Sequence, residues 1–325
     1  MTQLESIRRP IEAELARYRE LFAEALSHDD DFLGRALDYV RRKQGKMMRP
    51  ILVLLIAREF GEVSEQTLRA AVALELLHTA SLVHDDVVDE SDERRGVPSL
   101  NAVFGNKVSV LLGDYLLSIC LGQAAQTGDP EVVNTIAQLG GTLSAGEMLQ
   151  LSNIRDEEVS EEAYFRVIRS KTAALFATCG QLGALSAGAP AEMVARAREL
   201  GELIGICFQI RDDIFDYSAD SAAIGKPTGS DLAEGKITLP AIYALRHADT
   251  ETARALAAKI KAGTASSDDL QRVVELAKTS GGIDYAKNIM EQYRAKAEVL
   301  LAAFVRQDVR AALDEYLGFV VKRSI

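Results

Sequence analysis

Apolar residues recur at three- and four-residue spacing over residues 11–26, 32–40, 68–88, 103–125, 132–151, 164–185 and 193–217, and over shorter segments from 237 onward. That spacing lines one face of a helix, and no alternating run of the kind a half-buried strand needs competes with it. The breaks carry helix punctuation. Asp129-Pro130 fits an N-cap followed by proline in the first turn, Ser266-Ser267 before Asp268-Asp269 fits a second start, and Gly281-Gly282 fits a stop. The stretch from Ala71 to Leu77 is apolar over most of its circumference, which predicts a helix buried at the centre of a bundle. The longest interruption, 218–235, holds Gly225, Pro227, Gly229 and Gly235 and is too short for an inter-domain linker. The pattern predicts one all-α domain over residues 1–325, a single large helical bundle without internal repeats.

Composition narrows the field. Among 325 residues, 37 Lys+Arg stand against 48 Asp+Glu, a formal charge of −11, which argues against a nucleic-acid partner. With 48% apolar residues the chain has ample material for a core, which excludes disorder as its main state. No stretch reaches the roughly 20 uninterrupted apolar residues of a transmembrane segment, and the first ten residues are too charged for a signal peptide. Cys120, Cys179 and Cys207 each lie in apolar surroundings without metal or disulfide spacing, as reduced core residues of a cytoplasmic protein would.

Two acidic clusters change the picture. Asp85-Asp86-Val87-Val88-Asp89 ends one apolar helical segment and Asp212-Asp213-Ile214-Phe215-Asp216 ends another. Residues four apart share a helix face about 6 Å along the axis, so Asp85 projects with Asp89, and Asp212 with Asp216. Three carboxylates at the negative end of a helix dipole repel one another and need a cationic partner. One such cluster could be an ordinary solvated helix end. Two facing clusters form a natural cradle for magnesium bound to a diphosphate, because hard divalent cations take carboxylate and phosphate oxygens together.

A bound diphosphate also needs Lys and Arg. Candidates are Lys46 and Arg49 in Gly45-Lys46-Met47-Met48-Arg49-Pro50, Arg94-Arg95-Gly96 after the first cluster, Lys171-Thr172, and Lys226 and Lys236 in the glycine-rich break. Each alone could be a solvated surface charge. Lys171 runs directly into an apolar segment, so its charge wants a partner, and His78, seven residues before Asp85, shares that face.

From Gly45 to Pro240 these motifs, in this order, resemble the all-trans polyprenyl diphosphate synthases. The resemblance rests on the GKMMRP segment, on His78 through Asp89, and on Arg94-Arg95-Gly96. It continues through Gly146-Glu147-Met148-Leu149-Gln150, Lys171-Thr172, Phe208 through Asp213 and Gly225-Lys226-Pro227. It implies a homodimer of bundled helices with a deep central cavity, condensing isopentenyl diphosphate with an allylic diphosphate. By that likeness Gly45, Lys46, Arg49, His78 and Arg95 bind isopentenyl diphosphate, while Arg94, Lys171, Thr172, Gln209, Lys226 and Lys236 contact the allylic diphosphate. Asp85, Asp86, Asp89, Asp212, Asp213 and Asp216 would hold magnesium, three ions on the family pattern, with manganese able to substitute. Asp85, Asp89, Lys171, Asp212 and Lys226 would carry catalysis by ionising the allylic diphosphate.

A terpene cyclase also ionises a prenyl diphosphate, but has no need for the second diphosphate site that Lys46, Arg49 and Arg95 imply. A helical prenyl-diphosphate-binding or regulatory subunit without chemistry is the remaining alternative, and the intact Asp212 and Lys226 weigh against it. Product length is read from the residues before the first cluster. Ala80 and Ser81 are small and Leu77 continues the same face, whereas short-chain members of the resembling family place a bulky aromatic there. A product longer than 20 carbons is therefore expected, with a short-chain farnesyl or geranylgeranyl diphosphate synthase as the alternative.

Overall fold

A computed structural model describes residues 2–42, 45–94, 96–155, 159–217 and 228–322. The chain clusters into two compact units. The first comprises Met1–Gly141, Leu175–Gly201 and Leu300–Tyr316; the second comprises Thr142–Ala174, Glu202–Val299 and Leu317–Ile325.

In the first unit, α1 (Gln3–Arg8), α2 (Glu12–Ala25) and α3 (Asp31–Arg42) lead to α4 (Met48–Phe60) and α5 (Glu65–Val88). The Ser64 hydroxyl caps α5 by accepting from the Thr67 amide at 3.2 Å. The periodicity does not mark α4, and the reason is burial: Ile51 through Ala57 are all 0% exposed, so the helix has no polar face to alternate with. Each of its large aliphatic side chains contributes about 1.5–3 kcal/mol by leaving water. A two-stranded ladder pairs β1 (Glu93–Arg94) with β2 (Val97–Pro98), antiparallel, and is too short to read as alternation.

The predicted run 103–125 is two helices, α6 (Leu100–Phe104) and α7 (Asn106–Gln126), parted at Gly105, whose φ of 83° ends the first. Helix α7 buries Ser109, Leu112, Gly113, Leu116, Cys120 and Ala124 along one stripe and packs against α5. By length and mean hydropathy, 1.5, α7 is apolar enough to cross a membrane. Its outer face explains part of that value, since Val110, Leu111 and Leu121 are exposed.

Helix α8 (Pro130–Arg155) begins as predicted, with the Asp129 carboxylate accepting from the Glu131 amide at 2.9 Å. The predicted run 164–185 is α9 (Glu161–Ile168), one π-helical turn over Arg169–Ala173, and α10 (Ala174–Ser186). Then come α11 (Ala191–Asp216), α12 (Ser230–Ala233), α13 (Leu239–His247), α14 (Thr250–Lys261), α15 (Ser267–Thr279), α16 (Gly282–Leu301) and α17 (Gln307–Lys322). The first unit joins α10 to α11 by backbone contact: a Cβ on Gly201 would stand 2.1 Å from the Phe176 carbonyl oxygen. The second unit has its own core, in which Tyr217, Leu232, Ala241, Leu256, Ile260 and Val273 are buried. The predicted start at Ser266 is a full capping box with Asp269. Of the two glycines read as a stop, Gly281 takes φ 84°, while Gly282 begins α16 and allows the Pro240 carbonyl to approach.

Candidate active site

The first acidic cluster closes α5. Asp85 and Asp89 are one turn apart, with the Asp89 amide bonded to the Asp85 carbonyl at 2.8 Å; Asp85 is half-buried and Asp89 exposed. Asp86 behaves differently. It is 4% exposed and its Oδ1 accepts from Arg94 Nε at 2.5 Å, a contact the β1–β2 turn supplies through Gly96 at φ 76°. Asn101 and the Ser91 amide fix the Asp86 carbonyl from the other side, at 3.3 and 2.9 Å. A buried carboxylate with an arginine beside it is a structural pair, expensive to break by removing either partner.

A cavity of ≈ 330 Å³ in this unit is lined by Gly45, His78, Thr79, Leu82, Asp86 and Arg94, among others. It thus gathers two residues expected at the isopentenyl diphosphate site with one expected at the allylic site. Lys46 is exposed and Arg49 half-buried beside it in sequence, with the Arg49 guanidinium 5.5 Å from the Phe176 ring centroid. Ala80, Ser81 and Leu77 do not line this cavity. Ala80 and Leu77 are buried at 0% and 6%, and Ser81, half-buried, donates to the His78 carbonyl at 2.9 Å. Helix α8 packs on this face: a Cβ on Gly140 would lie 3.7 Å from Leu77 Cδ1. His84 packs so tightly on α7 that a Cβ on Gly113 would meet its Nε2 at 2.1 Å.

In the second unit the cluster at the end of α11 shows the same division of labour. Asp213 is 2% exposed; Tyr164 donates to its Oδ2 at 2.6 Å and Gln209 to its Oδ1 at 2.8 Å. Burial pushes this carboxyl up to about 6, the two hydrogen bonds hold it down, and Asp216 pushes it further up. Asp216 accepts the Ser230 amide and hydroxyl at 3.0 and 2.7 Å and the Asp231 amide at 3.2 Å, so it caps the start of α12. Asp212 is half-buried. Asp231, which sequence reasoning passed over, is raised to about 8 by burial and by Asp213 and Asp216, with Lys236 acting against them.

The predicted allylic contacts come together here. Lys171, Thr172, Gln209 and Lys236 line a cavity of ≈ 240 Å³ with Gln150, Tyr164, Asp213 and Asp231. Lys171 and Thr172 sit in the π-helical turn, where hydrogen bonds span five residues instead of four and widen the spiral, a distortion that recurs at functional sites. Glu147 and Gln150 hold the Lys171 ammonium at 2.5 and 3.4 Å, and Thr172 donates to Gln209 at 2.7 Å. Gly146 gives this turn room, since a Cβ there would meet Ser170 Cβ at 2.8 Å. Tyr164 and Glu147 are functional candidates the sequence reading missed or left without a role. For Tyr164 the available signal was its place two helical turns before Lys171. Arg95, Gly225, Lys226 and Pro227 lie outside the described residues, as does the tail from Arg323.

Of the six aspartates, three are therefore committed to protein donors: Asp86, Asp213 and Asp216. Asp85 and Asp212 are half-buried and Asp89 is exposed, and all three are hard oxygen donors. Among the described residues no three acidic, histidine or cysteine groups gather into a ready-made metal cluster.

The chain matches the polyprenyl synthetase family over residues 30–277. It is similar to octaprenyl diphosphate synthase of Haemophilus influenzae, 34% identical over 100% of this chain and 98% of the relative. Among solved structures it is similar to geranylgeranyl pyrophosphate synthase from Bacteroides thetaiotaomicron, with 50% identity, 99% and 100% of the two chains covered and a TM-score of 0.88. It is also similar to polyprenyl synthase from Caulobacter crescentus CB15, complexed with calcium and isoprenyl diphosphate, with 32% identity, 98% of both chains covered and a TM-score of 0.91. With its all-α fold and an acidic motif at each of two helix ends, the chain belongs to the polyprenyl synthetase family and is a prenyltransferase.

Proposed function

We propose that this enzyme condenses isopentenyl diphosphate with an allylic diphosphate, one five-carbon unit per turn, and that it requires magnesium, with manganese as a substitute. The observation that supports the reading is an acidic motif at the end of α5 and another at the end of α11, each beside a cavity whose lining includes cationic side chains, Arg94 in one and Lys171 and Lys236 in the other. Asp85, Asp89 and Asp212 would hold the metal ions, three on the family pattern; the calcium in the Caulobacter crescentus relative supports a divalent site. A divalent cation there would draw electron density from the allylic carbon–oxygen bond as it breaks.

The chain's own residues do the rest. Lys171, Lys236 and Gln209 bind and orient the allylic diphosphate, with Thr172 fixing the Gln209 amide. Lys46, Arg49, Gly45 and His78 hold isopentenyl diphosphate so that its double bond meets the allylic cation. The leaving diphosphate takes the proton that is lost. Arg95, Lys226, Asp86, Asp213, Asp216 and Arg94 complete the two substrate sites, directly or by holding their neighbours.

The outer face of α7, with Val110, Leu111 and Leu121 exposed, supports a homodimer, since monomeric proteins seldom leave such a row uncovered. The three buried thiols support a cytoplasmic enzyme; burial raises Cys120 and Cys207 to about 12 and Cys179 further, so none is reactive. We assign a product longer than 20 carbons, on the small Ala80 and Ser81 and on the likeness to an octaprenyl synthase. A 20-carbon product is the second reading, favoured by the 50% identity to a geranylgeranyl synthase. Incubation with isopentenyl diphosphate, farnesyl diphosphate and magnesium, with products weighed by mass spectrometry, separates the two. Undiminished turnover in excess chelator would overturn the metal assignment.

A further inference from the structure

Met47 enters the left-handed backbone region, with φ 56° and ψ 36°. An L-residue crowds its own carbonyl there, so a non-glycine residue takes up this conformation only where its surroundings enforce it. No side chain caps the start of α4, and Met47 is its N-cap. The enforcement comes from the peptide groups on either side. Arg8 Nη2 donates to the Lys46 carbonyl at 2.8 Å, and the Tyr316 hydroxyl donates to the Met48 carbonyl at 2.9 Å. The two carbonyls that bracket the strained residue are thus gripped from opposite ends of the chain.

Both grips are anchored. Tyr316 is 0% exposed on α17, and the Arg8 Nε is buried while Nη2 of the same guanidinium bonds the Lys46 carbonyl. Helix α1, which delivers Arg8, is itself fixed by a capping box between Thr2 and Glu5 and bonded to α17 through Gln3 and the Glu315 carbonyl at 3.2 Å. The left-handed turn at Met47 lets α4 begin two residues after Lys46. An extended Met47 would carry Lys46 away from Arg49, whose guanidinium is settled over Phe176.

We propose that Arg8 and Tyr316 are positioning residues that clamp Met47 in its left-handed turn and thereby set the spacing of Lys46 and Arg49 for the isopentenyl diphosphate. Neither touches substrate in this role. The proposal rests on the reading of Lys46 and Arg49 as that substrate's cations, and the experiment keeps the two apart.

Arg8→Met keeps the stem and removes the donor; Tyr316→Phe removes one oxygen. Each should raise the KM for isopentenyl diphosphate about three- to tenfold while kcat and the allylic KM stay within about twofold, since one hydrogen bond to a positioning carbonyl is lost. Amide exchange of the peptide spanning 45–52, followed by mass spectrometry on the ligand-free enzyme, should quicken in both. Met47→Gly placed in the Arg8→Met background should bring the KM back to within about twofold of wild type, because glycine enters the left-handed region without penalty. Unchanged exchange in both variants overturns the clamp, whatever the loop binds. Faster exchange with an unchanged isopentenyl KM overturns its role in substrate spacing. If Arg49→Ala also leaves that KM unchanged, the reading of the loop as the isopentenyl diphosphate site has failed instead. Should Arg8→Met fold poorly, Tyr316→Phe decides.

Discussion

Replacing Tyr164 with phenylalanine removes a single oxygen from the ligand-free site, and its cost should depend on pH in a direction the geometry fixes. Asp213 has an ordinary value of 3.8 and is raised to about 6 in the folded chain, by burial first, against the hydrogen bonds from Tyr164 and Gln209. The folded state therefore binds more protons than the unfolded state between those values. Stability falls as pH rises through that window, and above pH 6 this one group carries a penalty of about 3 kcal/mol, two units at ~1.4 kcal/mol each. In Tyr164→Phe one of the two bonds favouring the ionised form is gone. A hydrogen bond to a charged group is worth about 1.5–3 kcal/mol, so the carboxyl should rise a further one to two units, past neutrality. At pH 5 the carboxyl is protonated in both proteins and the mutation should cost about 1 kcal/mol, the loss of a neutral hydrogen bond. At pH 8 the cost should reach about 2–3 kcal/mol. Urea denaturation followed by circular dichroism, in chelator, at the two pH values measures both. Equal destabilisation at pH 5 and pH 8 would refute the account of Asp213.

Asp85→Ala or Asp212→Ala should reduce turnover by orders of magnitude with helical circular dichroism unchanged, whereas Asp86→Ala, which strands the buried Arg94 contact, should lower the melting temperature as well. Lys171→Gln should weaken the allylic substrate about ten- to a hundredfold and leave the isopentenyl KM within about twofold; equal changes in both constants would contradict the assignment. Ser81→Phe should shorten the product toward 15 or 20 carbons without abolishing turnover, and an unchanged product distribution would place the length control elsewhere. Gly201→Ala should cost about 1–3 kcal/mol or more in thermal unfolding, because its Cβ would meet a backbone oxygen at 2.1 Å that cannot swing aside.

Much of the helical order could be read along the chain because most helices keep one polar face. Where that face is missing the reading failed, as in α4, whose buried aliphatics show no period. Breaks within long runs were lost for a related cause: Gly105 and the π-helical turn at Lys171 interrupt the backbone without interrupting the apolar spacing. At the site, the spacing of Asp85 and Asp89 was legible as shared facing, and Lys171, Thr172, Gln209 and Lys236 do line one cavity. What spacing could not convey was the inequality of the aspartates. Asp86 and Asp213 look like their neighbours in sequence, and only the positions of Arg94, Tyr164 and Gln209, brought in by other elements, make them internal. Tyr164 and Glu147 were passed over for the same reason, since their partners lie 49 and 24 residues away.

The tied aspartates also bear on how the chain folds in a cell before any cofactor arrives. Arg94 neutralises one charge, and Asp213 near pH 6 gives up part of another, so the load of like charge at the two helix ends is well below what counting carboxylates implies. Zinc-finger proteins need their metal in order to fold, because nothing else compensates their ligands. Here part of the compensation is built from the chain's own donors, which lessens what a metal would have to contribute to folding. A cation arriving with a diphosphate would then meet carboxylates that the chain already holds in place.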